Sequence, residues 1–281
     1  MKLSFTKMHG CGNHYIYFNC FDQAVPDPEA LSIRLSEPHF GIGGDGIILI
    51  SPSDRADAQM RIFNADGSEG RMCGNGIRCV GKYLYDNGMV NGRTAVTVDT
   101  LSGVKRLKLD VRDGRVQSVR VDMGAAILLP RDIPADFEGD SVVGAPLVVD
   151  ERVYHVTCVS MGNPHCVIFL SEDIDSLDLA RIGPKFEHHP LFPARINTEF
   201  VNIQSDGSLK MRVWERGSGE TWACGTGACA VGVAACLTGR AEKGSDITVR
   251  LRGGDLNIQY TDETVFMTGA ATTIFEGEIE I

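Results

Sequence analysis

The chain has no apolar run approaching the length of a membrane-spanning helix. It has no Cys-x-x-Cys pair, and its cysteines are not matched with histidines at zinc-binding spacing, so no metal centre is expected. No Gly-x-Gly-x-x-Gly lies between a strand and a helix, and no Walker A pattern occurs. Neither a dinucleotide nor a nucleoside triphosphate cofactor is therefore expected. Lys2-Leu3-Ser4-Phe5-Thr6 does not open a signal peptide. Positive charge is also scarce: 27 Lys and Arg stand against 37 Asp and Glu, a net charge of −10. That balance disfavours a broad nucleic-acid or anionic-membrane surface and says nothing about a local pocket. Nine cysteines, an odd number in a large chain, make a poor disulfide framework and fit a reducing compartment, so a cytoplasmic location is expected.

What the sequence does have is a repeat. Met60-Arg61-Ile62-Phe63-Asn64, Glu69 and Cys73-Gly74-Asn75-Gly76 are answered 151 positions later by Met211-Arg212-Val213-Trp214-Glu215, Glu220 and Cys224-Gly225-Thr226-Gly227. The register runs on without a gap through Val80-Gly81 on Val231-Gly232, Gly88 on Gly239, Thr97-Val98 on Thr248-Val249 and Gly103 on Gly254. A match of that length signals an internal duplication. A weaker echo precedes each copy, in Gly12-Asn13 and Gly162-Asn163. The chain's 281 residues, 43 % hydrophobic and 23 % charged, suffice for two globular domains. Residues 1–120 are expected to form the first, with a final strand at 271–281 pairing back onto it, and residues 121–270 the second.

Short alternating runs bounded by Gly, Asn and Asp predict strands at Leu3-Ser4-Phe5, Tyr15 to Asn19, Gly46 to Ile50 and Ala58 to Phe63. Further strands are expected at 94–99, 106–111, 116–123, 147–150, 153–159, 165–170, 199–203, 209–214, 247–251, 256–260, 265–268 and 273–279. Asp113-Gly114 and Asp206-Gly207 mark hairpins. Pro26-Asp27-Pro28-Glu29 opens a helix that runs to about Glu37. After Cys73, Ile77, Val80, Gly81 and Leu84 recur at helical spacing, and Asn87-Gly88 stops that helix. The helix after Cys224 is apolar on nearly every side, from Ala228 to Leu237, so it should run through the middle of a domain with sheet around it. The fold class is α+β: two similar domains, with sheet wrapped around a central helix.

Each repeated cysteine opens a helix in a glycine-rich turn. Free N–H groups and the helix dipole favour a thiolate there, which is expected to draw the thiol pKa from about 8.5 toward neutrality. The same N–H groups can hold a carboxylate. A pair of such turns suggests inversion at an α-carbon, with one thiolate removing a proton from one face and the other thiol delivering one to the opposite face. Taken singly, a cysteine is more often a small buried hydrophobe, which is the reading for Cys20, Cys79, Cys158, Cys166, Cys229 and Cys236. Cys11, in a glycine loop, is open between the two. Two low-pKa cysteines close together would also suit a non-enzymatic thiol redox switch.

Lys7-Met8-His9-Gly10-Cys11-Gly12-Asn13, Phe63-Asn64-Ala65-Asp66-Gly67-Ser68-Glu69, Met72-Cys73-Gly74-Asn75-Gly76, Met161-Gly162-Asn163-Pro164-His165 and Ala223-Cys224-Gly225-Thr226-Gly227 resemble the diaminopimelate epimerase family, essentially end to end. The resemblance implies two domains, each a strongly curved mixed sheet around its central helix, and cofactor-independent interconversion of LL- and meso-diaminopimelate in lysine and peptidoglycan precursor synthesis, at a site in the interdomain cleft, by an enzyme that is usually a homodimer. It implies Cys73 and Cys224 as the acid/base pair and His165 and Glu215 as modulators of their pKa values. Gly74, Asn75, Gly225 and Thr226 would hold the reacting carboxylate and Glu215 the reacting amino group. Asn13, Asn64, Asn163, Asn197 and Arg216 would recognise the rest of the substrate. Two departures stand out: Gly46, where many members carry Gln, and His14, where many carry Asp. A proline or hydroxyproline racemase of the same fold is the nearest alternative, although such enzymes usually carry His where this chain has Asn75. Without the family pattern, Asn13, Asn64 and Asn197 read as turn residues, His165 as a core histidine and Glu215-Arg216 as a solvated pair.

Overall fold

The computed structural model describes residues 1–281. The chain divides into two compact units, Met1–Asp122 with Thr268–Ile281, and Met123–Met267. No helix is long and apolar enough to cross a membrane.

The first unit begins with an antiparallel pair, β1 (Lys2–Gly10) and β2 (Asn13–Asn19). Helix α1 (Pro28–Ser36) then carries the chain across to β3 (Gly46–Ser51), which lies parallel to β2. Asp27 caps α1 by accepting from the Ala30 N–H, and Pro28 sits where a missing N–H costs nothing. Strand β4 (Ala58–Asn64) returns antiparallel to β3, and the short β5 (Glu69–Gly70) folds back on β4. Helix α2 (Gly74–Asp86) leads to β6 (Ala95–Thr100), parallel to β4. Strands β7 (Gly103–Arg112) and β8 (Arg115–Asp122) follow as antiparallel hairpins. Asp113 and Gly114 both have positive φ between them, at 52° and 72°, the pair of left-handed residues a tight hairpin requires.

The second unit repeats this plan. It contains β9 (Ala145–Val149), β10 (Arg152–Ser160), β11 (Pro164–Phe169), α3 (Leu179–Glu187), β12 (Asn197–Ile203), β13 (Leu209–Glu215), β14 (Gly219–Thr221), α4 (Gly225–Leu237), β15 (Ile247–Leu251) and β16 (Gly254–Tyr260). The pairings run in the same sequence of senses: β10 with β11 antiparallel, β11 with β12 parallel, β12 with β13 and β13 with β14 antiparallel, β13 with β15 parallel, β15 with β16 antiparallel. Strand β9 flanks β10 antiparallel. Its counterpart in the first unit comes from the far end of the chain. After β17 (Val265–Ala270), β18 (Thr272–Glu280) pairs antiparallel with β1.

Each sheet has a helix on either face. Helix α2 packs on β1, β2, β6, β7 and β8, and α4 on β10, β11, β12, β15 and β16. Both lie unusually close to their sheets. A Cβ on Gly81 would stand 2.7 Å from Leu107 Cδ2, and one on the equivalent Gly232 would stand 2.6 Å from Ile258 Cγ2. In α4 Gly225 and every residue from Gly227 to Ala235 is buried, so the helix needs no polar face. Helix α2 keeps one, with Lys82 and Asp86 joined 2.8 Å apart along its rim.

The outer faces carry their own cores. In the first unit Leu31 and Leu35 of α1 pack with Phe18, Leu49 and Phe63. In the second, Leu179, Ile182 and Phe186 of α3 pack with Ile168 and Phe200. Helix α3 was not expected from sequence: Leu179, Ile182 and Phe186 have helical spacing, but Pro184 lies inside it. An internal proline costs about 3 kcal/mol. Burial of three large apolar side chains, at about 2 kcal/mol each, offsets that. Two of the cysteines expected to be buried, Cys20 and Cys236, are only partly so, whereas Cys79, Cys158, Cys166 and Cys229 are buried.

Candidate functional site

In the first unit the chain turns from β5 into α2 at Cys73, whose extended backbone (φ −128°) makes it the helix N-cap. Its Sγ accepts from the Gly76 N–H at 3.3 Å, as a cap side chain does. The thiol also lies 3.3 Å from Asn13 Oδ1 and bonds with the Tyr15 hydroxyl. Asn13 is held in turn. Its amide donates to Asp45 Oδ2 at 2.7 Å, and Asn75 Nδ2 reaches its Oδ1 at 3.3 Å. Beneath the turn lies Arg78, wholly buried. It donates to Gly74 O at 3.1 Å, to Asn75 Oδ1 at 2.9 Å and to Ala270 O at 3.2 Å. The left-handed Cys11 (φ 53°) is buried, with its sulfur 3.6 Å from Arg78 Nη2.

Cys73, Asn13, Gly74 and Asn75 therefore form one cluster. Asn64 stands on the neighbouring β4, its amide donating to Ser68 Oγ at 3.0 Å. Gly46 faces Asn64 across the β3–β4 ladder with φ 148°, and a Cβ there would lie 2.0 Å from Phe63 O. No side chain fits that backbone, so the glycine reflects a close strand approach. The backbone N–H of His14 donates to Asp45 Oδ2 at 2.8 Å, a bond that does not depend on the side chain at this position.

In the second unit Cys224 caps α4 with extended backbone (φ −116°), but its side chain makes no cap bond. Its Sγ lies 3.5 Å from Thr226 Oγ1 and bonds with the Glu215 carboxylate. Glu215, at the end of β13, also accepts from the Thr221 hydroxyl. His165 of β11 is fully enclosed, with Nδ1 2.7 Å from Glu199 Oε1 and Nε2 3.1 Å from Asn163 Oδ1. Asn197 and Arg216 stand close to this group and serve the backbone. The Asn197 amide donates to Pro164 O at 2.7 Å and accepts the Arg216 N–H at 2.9 Å, while Arg216 Nη1 reaches Ala194 O at 3.0 Å.

The helix-end setting does not bring either thiol toward neutrality, and that expectation is corrected. Burial pushes the Cys73 thiol up, against the opposing pull of the Gly76 and Asn75 N–H groups, Tyr15 and the Arg78 charge. Burial pushes Cys224 up further, and the charges of Glu215 and Glu199 add to it. Burial likewise raises Glu215, with the Thr221 and Cys224 bonds pulling the other way. The two environments are opposite in sign: a guanidinium stands by Cys73 and two carboxylates by Cys224.

Ligand atoms of His165, Glu199 and Cys224 lie within 4.8 Å of one another. The 2.7 Å between His165 Nδ1 and Glu199 Oε1 is hydrogen-bond spacing. Donors about 2.0–2.1 Å from a shared tetrahedral zinc would stand roughly 3.3 Å apart. The geometry is that of a hydrogen-bonded pair.

Tyr15, Asp45, Arg78, Glu199 and Thr221 were not anticipated from sequence. For Glu199 a signal existed in the repeat, since the equivalent residue of the first copy is the apolar Ile48; Arg78 stands in a helix that also carries Lys82 and Asp86, and nothing in its spacing marked it as buried.

The diaminopimelate epimerase family model matches residues 5–129 and 157–274. Diaminopimelate epimerase of Acetivibrio thermocellus is 53 % identical over 281 residues, covering 99 % of each chain. That of Agathobacter rectalis is 54 % identical over 288 residues, covering 99 % of this chain and 100 % of its own. Among solved structures, a hydroxyproline epimerase from Agrobacterium vitis superposes with a TM-score of 0.72 at 18 % identity, covering 99 % of this chain and 91 % of its own. A Bacillus anthracis protein of the PhzF phenazine biosynthesis family does so with a TM-score of 0.71 at 14 % identity, covering 100 % of both chains. These two share the fold. By family model and by identity along its length, the chain belongs to the diaminopimelate epimerase family.

Proposed function

We propose that this protein interconverts LL- and meso-diaminopimelate by proton transfer at one α-carbon, with Cys73 and Cys224 as the two acid/base groups. The observation that carries the reading is the pair of helix-capping cysteines at equivalent positions of a duplicated unit, in a chain of this family. Inversion needs a proton acceptor on one face of the carbon and a donor on the other, so the two sulfurs must flank that carbon in the reacting complex. Gly74 and Asn75 at one helix end, and Gly225 and Thr226 at the other, are suited to hold the reacting carboxylate at the positive ends of the two helices. Charge withdrawn there stabilises the carbanion, which lowers the barrier more than thiol basicity alone can. Glu215 binds the reacting amino group. Asn13, Asn64, Asn163, Asn197 and Arg216 recognise the remainder, with Arg216 gripping the distal carboxylate. His165 and Glu215 modulate the thiols. No cofactor takes part, and the nine free cysteines suit a reducing cytoplasm. A homodimer is the expected assembly.

The test is direct. Purified protein is offered LL-diaminopimelate and L-proline side by side, with metal, pyridoxal phosphate and nucleotides withheld. Formation of meso-diaminopimelate is expected. Turnover of proline alone would transfer the reading to the racemases of the same fold, and turnover of neither would favour the redox switch.

A further inference from the structure

At one buried position the second repeat carries a charge where the first is apolar. In the first unit Ile48 lies under the opening turn of α2, with Cδ1 2.6 Å from where a Cβ on Gly76 would stand. The residue 151 positions later is Glu199. Its Oε1 stands 2.6 Å from where a Cβ on Gly227 would be, under the opening turn of α4. The fold thus accepts an apolar side chain here, yet the second unit buries a carboxylate completely.

Packing does not account for that choice. A buried carboxylate costs several kcal/mol unless it is paired. Glu199 meets His165 Nδ1 at 2.7 Å, with both side chains wholly shielded from water. No protein group bonds its other oxygen, Oε2. A group placed for stability alone would be satisfied at both oxygens or replaced by an aliphatic one. The register explains its aim. Val167 of β11 and Val213 of β13 lie beside Glu199 on either side, so the carboxylate shares the α4-facing layer with His165, two residues before Val167, and with Glu215, two residues after Val213.

We propose that Glu199 is a positioning residue for the reaction: its carboxylate accepts the Nδ1 hydrogen of His165, fixing the plane of the ring and the nitrogen that carries the proton. The proposal rests on the reading that His165 serves the Cys224 site. An imidazole without such a partner carries its hydrogen on either nitrogen and turns about its Cβ–Cγ bond. With Nδ1 committed, Nε2 of the neutral ring is an acceptor, and the side-chain amide of Asn163, 3.1 Å away, meets it by turning its NH2 group toward the ring. The imidazole, carboxylate and thiol are close enough, all within 4.8 Å, for a displaced ring to be felt at the sulfur. Gly227 belongs to the same device, because any larger residue would push against the carboxylate.

Two variants test this. Glu199→Ile installs the residue the first repeat carries in the same niche, and Glu199→Gln keeps an acceptor oxygen without the charge. Thermal midpoint, kcat, KM and the ¹⁵N chemical shifts of the His165 ring are measured for each. Glu199→Ile is expected to stay folded with KM within about threefold of the parent, while kcat falls about 10- to 100-fold, the scale met where a metal-binding histidine loses its supporting carboxylate. Its His165 ¹⁵N pattern should show the hydrogen no longer confined to Nδ1. Glu199→Gln should fall between the two in kcat. Unchanged kcat in both variants, an unchanged His165 pattern, or a kcat loss matching only the loss of folded protein would overturn the proposal. A parent protein inactive on diaminopimelate would instead overturn the functional reading, and the ¹⁵N comparison would still decide what Glu199 does to His165.

Discussion

Cys73→Ala and Cys224→Ala are each expected to lower kcat for epimerisation by about 10²–10⁴-fold, the usual contribution of a positioned acid or base, with far smaller changes in KM. In the proposed two-base scheme neither sulfur could stand in for the other, because each would serve one face of the carbon. Their surroundings differ as well. Cys73 sits among N–H donors, the Tyr15 hydroxyl and the Arg78 charge, all of which favour its thiolate. Cys224 sits by Glu215 and Glu199, which disfavour it. The resting enzyme is thus biased toward losing a proton first at Cys73. Both substitutions remove only a small side chain at a helix cap. Circular dichroism should show folded protein, so that lost activity reports chemistry. Near-normal turnover by either variant would defeat the two-base scheme.

Arg78→Met is expected to have the largest effect on stability, about 3 kcal/mol or more, as when one partner of a buried charged network is removed. The guanidinium joins Gly74 O, Asn75 Oδ1 and Ala270 O, and its Nη2 lies 2.7 Å from where a Cβ on Gly10 would stand. It therefore ties the first turn of α2, the β1–β2 loop and the end of β17 within one unit. Methionine fills much of the volume but leaves three oxygens without this donor, at about 1–3 kcal/mol for each that stays buried and unpaired. The denaturant midpoint of this unit should fall. Alkylation of Cys73 should slow at fixed pH, because a charge favouring its thiolate is gone. An unchanged midpoint would mean that water or a neighbour satisfies those oxygens.

Much of the fold was legible because its elements obey simple periods. Strands such as β7, with Leu107 and Leu109 buried between exposed Arg106, Lys108 and Asp110, alternate as a half-covered sheet must. The unbroken apolar surface of α4 announced a helix sheathed by strands. The repeat also foretold that both helices would be capped by cysteine. What escaped notice was decided by tertiary context. Helix α3 carries the pattern Leu179, Ile182, Phe186, but Pro184 argues locally against it, and only packing on β12 and β13 overrides the proline. Glu199 alternates with Thr198 and Phe200 as a strand residue facing water would. It is buried because α4 covers that face, while α3 covers the other. The repeat itself held the clue, in Ile48 at the matching position. The thiol pKa values were misjudged for the same reason: the helix end was visible in the sequence, but the burial that outweighs it was not.

The most direct measurement of the central claim is the fate of the α-proton in deuterated water. LL-diaminopimelate is incubated with the enzyme, and both stereoisomers are recovered at low conversion for mass spectrometry. If one cysteine removes hydrogen from one face while the other supplies solvent-derived hydrogen to the opposite face, the meso product carries deuterium at the inverted carbon from the first turnovers, and the remaining LL substrate stays unlabelled. Product that keeps its original hydrogen, or substrate and product that gain deuterium at equal rates, would mean that a single group serves both faces.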